Sequence, residues 1–202
     1  MLSEKTRIAV FVSGGGTNLQ ALIDANLEHG EIVLVVSSSP KAYALERAKK
    51  AGIPAVAVSR QNGQAAFEAE IEAALEEYGV ELIVLAGFLS ILSPAFTARH
   101  PKRILNIHPS LIPSFCGQGF YGLKVHEEAL KRGVKVTGAT VHYVNEIPDG
   151  GEILLQKAVP VEPGDTPERL QRRVMEQAEW KLLPQAAELV SANIRREKDG
   201  RL

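Results

Sequence analysis

The chain has 202 residues, a length typical of one domain, and its 23 basic residues nearly balance its 24 acidic residues. This balance excludes the strongly basic surface that nucleic acids and anionic membranes attract, so the expected partners are small molecules. The single cysteine, Cys116, excludes an internal disulfide and a zinc site with several thiolates. The polar residues 1–5 do not resemble a targeting peptide, and no apolar run is long enough to span a bilayer. We therefore expect a cytoplasmic protein.

The first half of the chain alternates short β-branched runs with helical patterns. Strands are predicted over Ile8–Val12, Ile32–Ser37, Ala55–Val58, Leu82–Leu85 and Ile104–His108, and helices over Asn18–Leu27, Tyr43–Lys50 and Ala65–Tyr78. Because the apolar runs are continuous rather than alternating, the strands are expected to be buried on both faces of a parallel sheet. This pattern predicts an α/β fold with a mostly parallel, doubly wound sheet that is Rossmann-like in the N-terminal half.

The second half of the chain has a different pattern. A helix is predicted over Val125–Arg132, followed by strands over Val136–Val144 and Ile153–Val161. The two strands are joined by a connector that contains the turn sequence Pro-Asp-Gly-Gly. They are therefore expected to form an antiparallel pair added to the sheet.

The last predicted helix begins at Thr166 and has a proline in its first turn. An apolar residue recurs every fourth position and predicts a buried stripe, made of Leu170, Val174, Ala178 and Leu182. Pro184 is expected to kink or break this helix, and residues from Arg195 onward are expected to fray. We predict a single domain over residues 1–192 and a polar C-terminal tail over residues 193–202.

A glycine-rich loop, Ser13–Asn18, follows the first strand and opens the first helix. Glycines there allow backbone N–H groups to approach an anion, and a helix N-terminus favours negative charge. A dinucleotide site would need glycine where Leu19 stands and an acidic residue in place of Ser37–Ser39, so the loop suits a single phosphate. The alternative is purely structural: Thr17 and Gln20 would form a capping box, and the glycines would only turn the chain.

A second candidate site lies where the fifth strand ends. Side chains alternate along a strand, so Asn106 and His108 share one side and Ile107 packs on the other, before Pro109 ends the ladder. Ligands of open α/β sheets bind at such carboxyl ends, and an amide beside an imidazolium can stabilise an oxyanion. The alternative is a structural histidine that hydrogen-bonds at a strand end. The remaining central histidines are expected to be surface or packing residues, and no pair has metal-ligand helical spacing, so no metal is predicted: His100, His126 and His142.

Asp149 precedes two glycines, and taken alone this sequence is typical of a simple turn. Five segments nevertheless occur together in order over nearly the whole chain: Val12–Gln20, Leu85–Ser93, Leu105–Pro113, Thr140–Val144 and Asp149–Gly151. With these segments the chain resembles the phosphoribosylglycinamide formyltransferases, enzymes that formylate glycinamide ribonucleotide in purine synthesis.

The resemblance implies a role for particular positions. It implies a catalytic trio of Asn106, His108 and Asp149. It implies contacts to the ribonucleotide from Gly16, Thr17, Asn18 and Glu179. It implies a folate-binding surface made of Leu89, Ser90, Ile91, Leu92, Asn106, Asn145, Glu146 and Asp149. The implied co-substrate is 10-formyltetrahydrofolate, with no metal.

Three features depart from the family pattern. Gln64 stands where relatives often carry a basic residue that faces the glutamate tail of the folate. The loop Phe115–Tyr121 is longer than in the shorter members, and Glu152 stands where proline is common. Cys116 lies in this loop without an identifiable base, which favours an incidental thiol over a nucleophile.

The implied mechanism is direct attack of an amine on the formyl carbon. Asn106 and a protonated His108 would stabilise the oxyanion, and the Asp149 carboxylate is expected to raise the pKa of His108 above its reference of about 6.5. Hydrolysis of formyltetrahydrofolate and formylation of an aminoacyl-tRNA are the rival reactions. The hydrolase usually carries an extra N-terminal domain and the tRNA enzyme an extra C-terminal one; we expect neither here, which favours the ribonucleotide. A non-catalytic sensor of phosphorylated ribose is a further alternative, and the protein is expected to be a monomer or a homodimer.

Overall fold

A computed structural model of the protein describes residues 5–200, so most of the polar N-terminal segment and the last two residues of the predicted tail lie outside the described residues. The strands in chain order are β1 (Thr6–Val12), β2 (Gly30–Ser37), β3 (Ala55–Ala57), β4 (Leu82–Leu85), β5 (Ile104–His108), β6 (Val136–Tyr143) and β7 (Ile153–Pro160). The helices are α1 (Thr17–Asp24), α2 (Tyr43–Lys50), α3 (Gln64–Glu77), α4 (Pro94–Arg99), α5 (Leu123–Arg132), α6 (Pro167–Val174) and α7 (Trp180–Lys198).

The strands form one mixed sheet in the order β3-β2-β1-β4-β5-β6-β7. The first five strands in this order pair in parallel, and β6 pairs antiparallel with both β5 and β7. This confirms the predicted α/β fold with a mostly parallel sheet and antiparallel strands added by the second half of the chain. The chain moves outward from β1 to β3 and then returns to place β4 on the other side of β1. The loops that follow β1 and β4 therefore diverge and leave a crevice at the carboxyl ends of these strands.

Two apolar layers cover the sheet, as the continuous apolar runs predict. Residues 8–12 of β1 are fully buried. Alternate positions of this strand face opposite layers: Ile8, Val10 and Val12 belong to the layer that contains α1 and α7, whereas Ala9 and Phe11 belong to the layer that contains α3. The central strands are thus held between helices and give the loops at their ends a rigid base.

The C-terminal helical segment differs from the prediction. The predicted stripe is buried, but Pro184 lies inside α7, which continues through Lys198. The buried face of α7 packs on the sheet, and this packing offsets the hydrogen bond that the proline cannot make. The irregularity lies upstream instead, where the helical segment passes through one π-helical turn over Met175–Glu179 without ending. Residues 193–198 of the predicted tail are therefore helical, Ile194 among them is buried, and the expected fraying is wrong over residues 195–198.

Helix α4 is an element that periodicity alone did not reveal. Ser93 caps it by accepting a hydrogen bond from the Phe96 N–H, and Pro94 occupies the first turn. The Ser-Pro pair is a start signal that was present in the sequence. Within the described part of the chain, the structure contains no helix that is both long and apolar enough to cross a membrane.

Candidate active site

A cavity of about 670 Å³ opens at the carboxyl ends of β1, β4 and β5. Its walls are the glycine loop with the start of α1, residues 86–89, the end of β5 and the loop 117–122. Asp149 and Glu179 close it from the second half of the chain. The cavity therefore lies at the point where the strand order reverses, the position at which open α/β sheets bind ligands.

The predicted trio comes together in this cavity. His108 Nδ1 lies 3.5 Å from Asp149 Oδ2, and Asn106 Nδ2 lies 3.4 Å from Asp149 Oδ1. Asn106 is half-buried and His108 is buried, with 4% of its surface exposed. The carboxylate thus bridges the two side chains that β5 presents on one side, although it is more than forty positions away in sequence.

The backbone around Asp149 aims its carboxylate at β5. Asp149 itself has a left-handed backbone, with φ of 55°, which aspartate tolerates better than most residues. The backbone of Gly151 lies so close to the Tyr143 carbonyl group that a Cβ at this position would be 1.7 Å from the carbonyl oxygen. Only glycine fits there. The Gly117 N–H donates to Asp149 Oδ2 at 2.8 Å. Burial raises the pKa of Asp149, but His142, the charge of His108 and the Gly117 N–H together hold it below its ordinary value.

The predicted pKa direction for His108 is wrong. Burial lowers its pKa, and the neighbouring Asp149 carboxylate and the Phe115 carbonyl only partly oppose this effect. His108 Nε2 donates to the Phe115 carbonyl oxygen at 2.8 Å. Nε2 therefore carries a proton and acts as a hydrogen-bond donor to an oxygen atom, the role that stabilising an oxyanion would also need.

His142, which the sequence indicated as a surface or packing residue, instead makes polar contacts with Asn106 and Asp149, whereas His126 is buried as a packing residue would be. His142 on β6 lies directly opposite Asn106 in the strand register, and its Nε2 lies 3.1 Å from Asn106 Nδ2 and 3.5 Å from Asp149 Oδ1. Its Nδ1 donates to the Tyr143 carbonyl at 2.8 Å, which fixes the ring. His126 on α5 contributes to the cavity wall and is fully buried. The antiparallel pairing of β6 with β5 was the signal that could have located His142.

The glycine loop has the form of an anion site. Gly16 is the N-terminal cap of α1, with φ of 71°, and no side chain caps the helix, so the alternative capping box of Thr17 and Gln20 is wrong. A Cβ at Gly16 would lie 2.6 Å from the Cβ of Ala44, so only glycine fits there. The first N–H groups of α1 have no acceptor within the helix, and residues 14–18, which include the start of α1, line the cavity.

Glu179 reaches the glycine loop from the π turn. Asn18 Nδ2 donates to Glu179 Oε2 at 2.8 Å across a separation of 161 residues. Both side chains are buried, and Asn18 Oδ1 has no hydrogen-bond partner among the described residues. Burial raises the pKa of Glu179 to about 6, against the opposing effect of the Asn18 amide. A polar ligand at the loop would find here both a free amide oxygen and a carboxyl group.

The segments predicted to bind folate divide between the cavity and its surroundings. Leu89 and Ile91 line the cavity and expose 64% and 66% of their surface, which fits an apolar aromatic ring at the rim. Gln64 donates to the Ile91 carbonyl at 3.1 Å and supports this segment from α3. The structure does not bring the other four residues to the cavity wall, so their role stays a prediction: Ser90, Leu92, Asn145 and Glu146.

One group of potential metal ligands lies elsewhere. Glu28, His29 and Glu188 bring their ligating atoms within 4.8 Å of one another. His29 precedes β2 and thus lies at the amino end of this strand, whereas the cavity lies at the carboxyl ends of the parallel strands. Its Nδ1 hydrogen-bonds Glu188 at 2.5 Å, so the two side chains already satisfy each other.

Comparison with known proteins identifies the family to which the chain is similar. A family model described as formyl transferase matches residues 6–187. The phosphoribosylglycinamide formyltransferase of Haemophilus influenzae is 44% identical over 88% of this chain and 84% of its own length. The trifunctional purine biosynthetic protein adenosine-3 of Bos taurus is 44% identical over 98% of this chain. The chain spans about a fifth of the length of the first curated relatives it matches.

Solved structures show the same architecture. The phosphoribosylglycinamide formyltransferase of Brucella melitensis superposes with a TM-score of 0.85 at 42% identity, over 94% of this chain and 97% of its own. The glycinamide ribonucleotide transformylase 1 of Symbiobacterium toebii gives a TM-score of 0.86 at 41% identity, over 94% of this chain and 89% of its own. The protein therefore belongs to the formyl transferase family.

Proposed function

We propose that this protein transfers the formyl group of 10-formyltetrahydrofolate to the amine of glycinamide ribonucleotide, a step of purine synthesis. The observation that carries the proposal is the meeting of Asn106, His108 and Asp149 within 3.5 Å in the cavity. The start of α1, with the form of an anion site, and the exposed apolar rim of Leu89 and Ile91 line the same cavity as this trio. The family match and the names of the relatives support the same reaction.

The two substrates would bind different parts of this one cavity. The phosphate of the ribonucleotide would bind the N–H groups of Gly16, Thr17 and Asn18, and Glu179 would accept hydrogen bonds from ribose hydroxyls. The folate ring would lie against the apolar rim, close to Asn106. Its formyl carbon and the attacking amine would then meet beside His108 and Asp149.

The chemistry would be attack of the amine on the formyl carbon, with negative charge developing on the formyl oxygen. The Asn106 amide and the Nε2–H of His108 would donate hydrogen bonds to this oxygen. Since Nε2 now donates to the Phe115 carbonyl, the formyl oxygen would have to replace that carbonyl. Asp149, whose pKa is held low, would accept a proton from the attacking amine and pass it toward the folate nitrogen.

The balanced charge of the chain supports small-molecule substrates, and its single cysteine supports a reducing, cytoplasmic compartment. That the protein acts as a monomer or a homodimer stays a prediction.

The test is an assay of tetrahydrofolate release from 10-formyltetrahydrofolate, with and without glycinamide ribonucleotide. We expect release only with both substrates, and at least a hundredfold loss of turnover in Asn106→Ala and in His108→Ala. His100→Ala is the matched control, because His100 bonds Glu72 and does not line the cavity. Near-normal rates in both trio variants would refute the assigned roles. Release from folate alone would indicate the rival hydrolytic reaction.

A further inference from the structure

The glycine loop is held from behind by α2. The Ala44 N–H donates to the Gly14 carbonyl oxygen at 3.1 Å. The Nε–H of Arg47, one turn further along α2, donates to the Gly15 carbonyl oxygen at 2.8 Å. Two successive carbonyl groups of the loop are thus fixed toward the same helix.

This arrangement determines where the loop N–H groups point. In a trans peptide, the C=O of one residue and the N–H of the next point in opposite directions. Because the carbonyls of Gly14 and Gly15 point toward α2, the N–H groups of Gly15 and Gly16 point away from it. Residues 14–18 line the cavity, whereas Ala44 and Arg47 do not. The two N–H groups are therefore directed to the cavity side of the loop.

Arg47 is itself held in place by two further contacts and by the anchoring of its helix. Its Nη1 donates to Gln20 Oε1 at 3.0 Å, which ties α2 to α1. Its guanidinium lies over the Tyr43 ring, 5.2 Å from the ring centroid. Helix α2 is anchored by the buried Ala44 and Ala48, so the arginine projects from a fixed base. Glycines ordinarily leave a loop flexible, and this side chain removes part of that freedom.

We propose that Arg47 is a positioning residue for the phosphate-binding site. It orders the N–H groups of the glycine loop through the Gly15 carbonyl and does not contact the ligand. The identity of the ligand, the phosphate of the ribonucleotide, rests on the proposed function. The order that the arginine imposes reduces the entropy that phosphate binding must otherwise remove, and loss of this order weakens binding of the phosphorylated substrate alone.

The test compares Arg47→Met with Lys50→Met. The control removes the same charge from the same helix, and Lys50 also lies near the Tyr43 ring, 5.9 Å from its centroid. The structure records no hydrogen bond from Lys50 to the loop among the described residues. We expect Arg47→Met to raise the KM for glycinamide ribonucleotide about tenfold or more, since a hydrogen bond from a charged donor is lost. The KM for 10-formyltetrahydrofolate and the kcat should stay within about twofold, and Lys50→Met should match the unmodified protein.

Calorimetric binding of ribose 5-phosphate separates this inference from the proposed reaction. If the unmodified protein binds this probe and Arg47→Met binds it about tenfold more weakly, the positioning role stands even where no formyl transfer is found. Three results overturn the role: equal affinity in Arg47→Met and the unmodified protein, equal weakening in Lys50→Met, or an equal rise in both KM values. Failure of the unmodified protein to bind the probe also overturns it.

Discussion

His126 allows a quantitative test of how burial of a side chain changes its pKa and, through it, the stability of the protein. The ring is fully buried, and neither of its nitrogens has a hydrogen-bond partner among the described residues. Burial, with a smaller contribution from the charge of His108, lowers its pKa from 6.5 to about 4. We predict that His126→Leu makes protein stability less sensitive to acid.

The magnitude follows from the difference between the folded and unfolded states. In the unfolded chain His126 binds a proton near pH 6.5, whereas in the folded protein it does so only near pH 4. Between these values the unfolded state binds more protons, so stability falls as pH falls. At about 1.4 kcal/mol per pKa unit, the burial of His126 should lower the free energy of unfolding by about 3 kcal/mol as pH falls from 6.5 to about 4. Above pH 6.5 this loss is absent.

The assay is urea unfolding of both proteins at a series of pH values from 7.5 to 4.5. At pH 7.5 the leucine variant should be as stable as the unmodified protein or more stable, because an apolar side chain leaves no polar atom unpartnered. Near pH 4.5 the unmodified protein should have lost 2 to 3 kcal/mol more than the variant, roughly the linkage value. His108 is present in both proteins, so the difference isolates His126. Parallel curves for the free energy of unfolding against pH would refute the reasoning.

Two further predictions concern Glu179 and Gly151. Since burial raises the pKa of Glu179 to about 6, ribonucleotide binding should weaken as pH falls from 8 to 5 in the unmodified protein. The phosphate of the ribonucleotide, with a second pKa of about 6, titrates in both proteins, so calorimetry should show a smaller change in Glu179→Gln. The same pH profile in both proteins would contradict this. Gly151→Ala should lower the free energy of unfolding by roughly 1 to 3 kcal/mol, because its Cβ meets the Tyr143 backbone at 1.7 Å. Gly14→Ala is the control, with no atom within 4 Å of the added Cβ, and equal urea midpoints in both variants would exclude the steric reason.

The central strands show that the local sequence pattern is sufficient to predict where some strands and helices begin and end. Strands β4 and β5 and helix α2 have the bounds that the residue pattern predicts. The reason is that a buried parallel strand needs a continuous apolar run, and an amphipathic helix needs apolar residues at helical spacing. The break expected at Pro184 is wrong, because α7 continues through this residue. Proline is a local signal, but the packing of α7 on the sheet outweighs it.

The resemblance of sequence segments to a known family predicted the trio of Asn106, His108 and Asp149. It did not reveal which other side chains contact the trio or how burial changes the pKa of its histidine. His142 is opposite Asn106 only because β6 pairs antiparallel with β5, a contact across 36 positions. The pKa of His108 is lowered rather than raised, because the effect of burial exceeds that of the Asp149 charge.

The sequence by itself determined the fold class, the strands buried on both faces and the residue types of the site. Only the tertiary structure decided which polar groups meet and which are removed from water. Asn18 and Glu179, 161 positions apart, become partners because a π turn directs the carboxylate at the glycine loop. Patterns of hydrophobicity report neighbours along the chain, whereas pairing and desolvation arise from residues that are distant in sequence and adjacent in space.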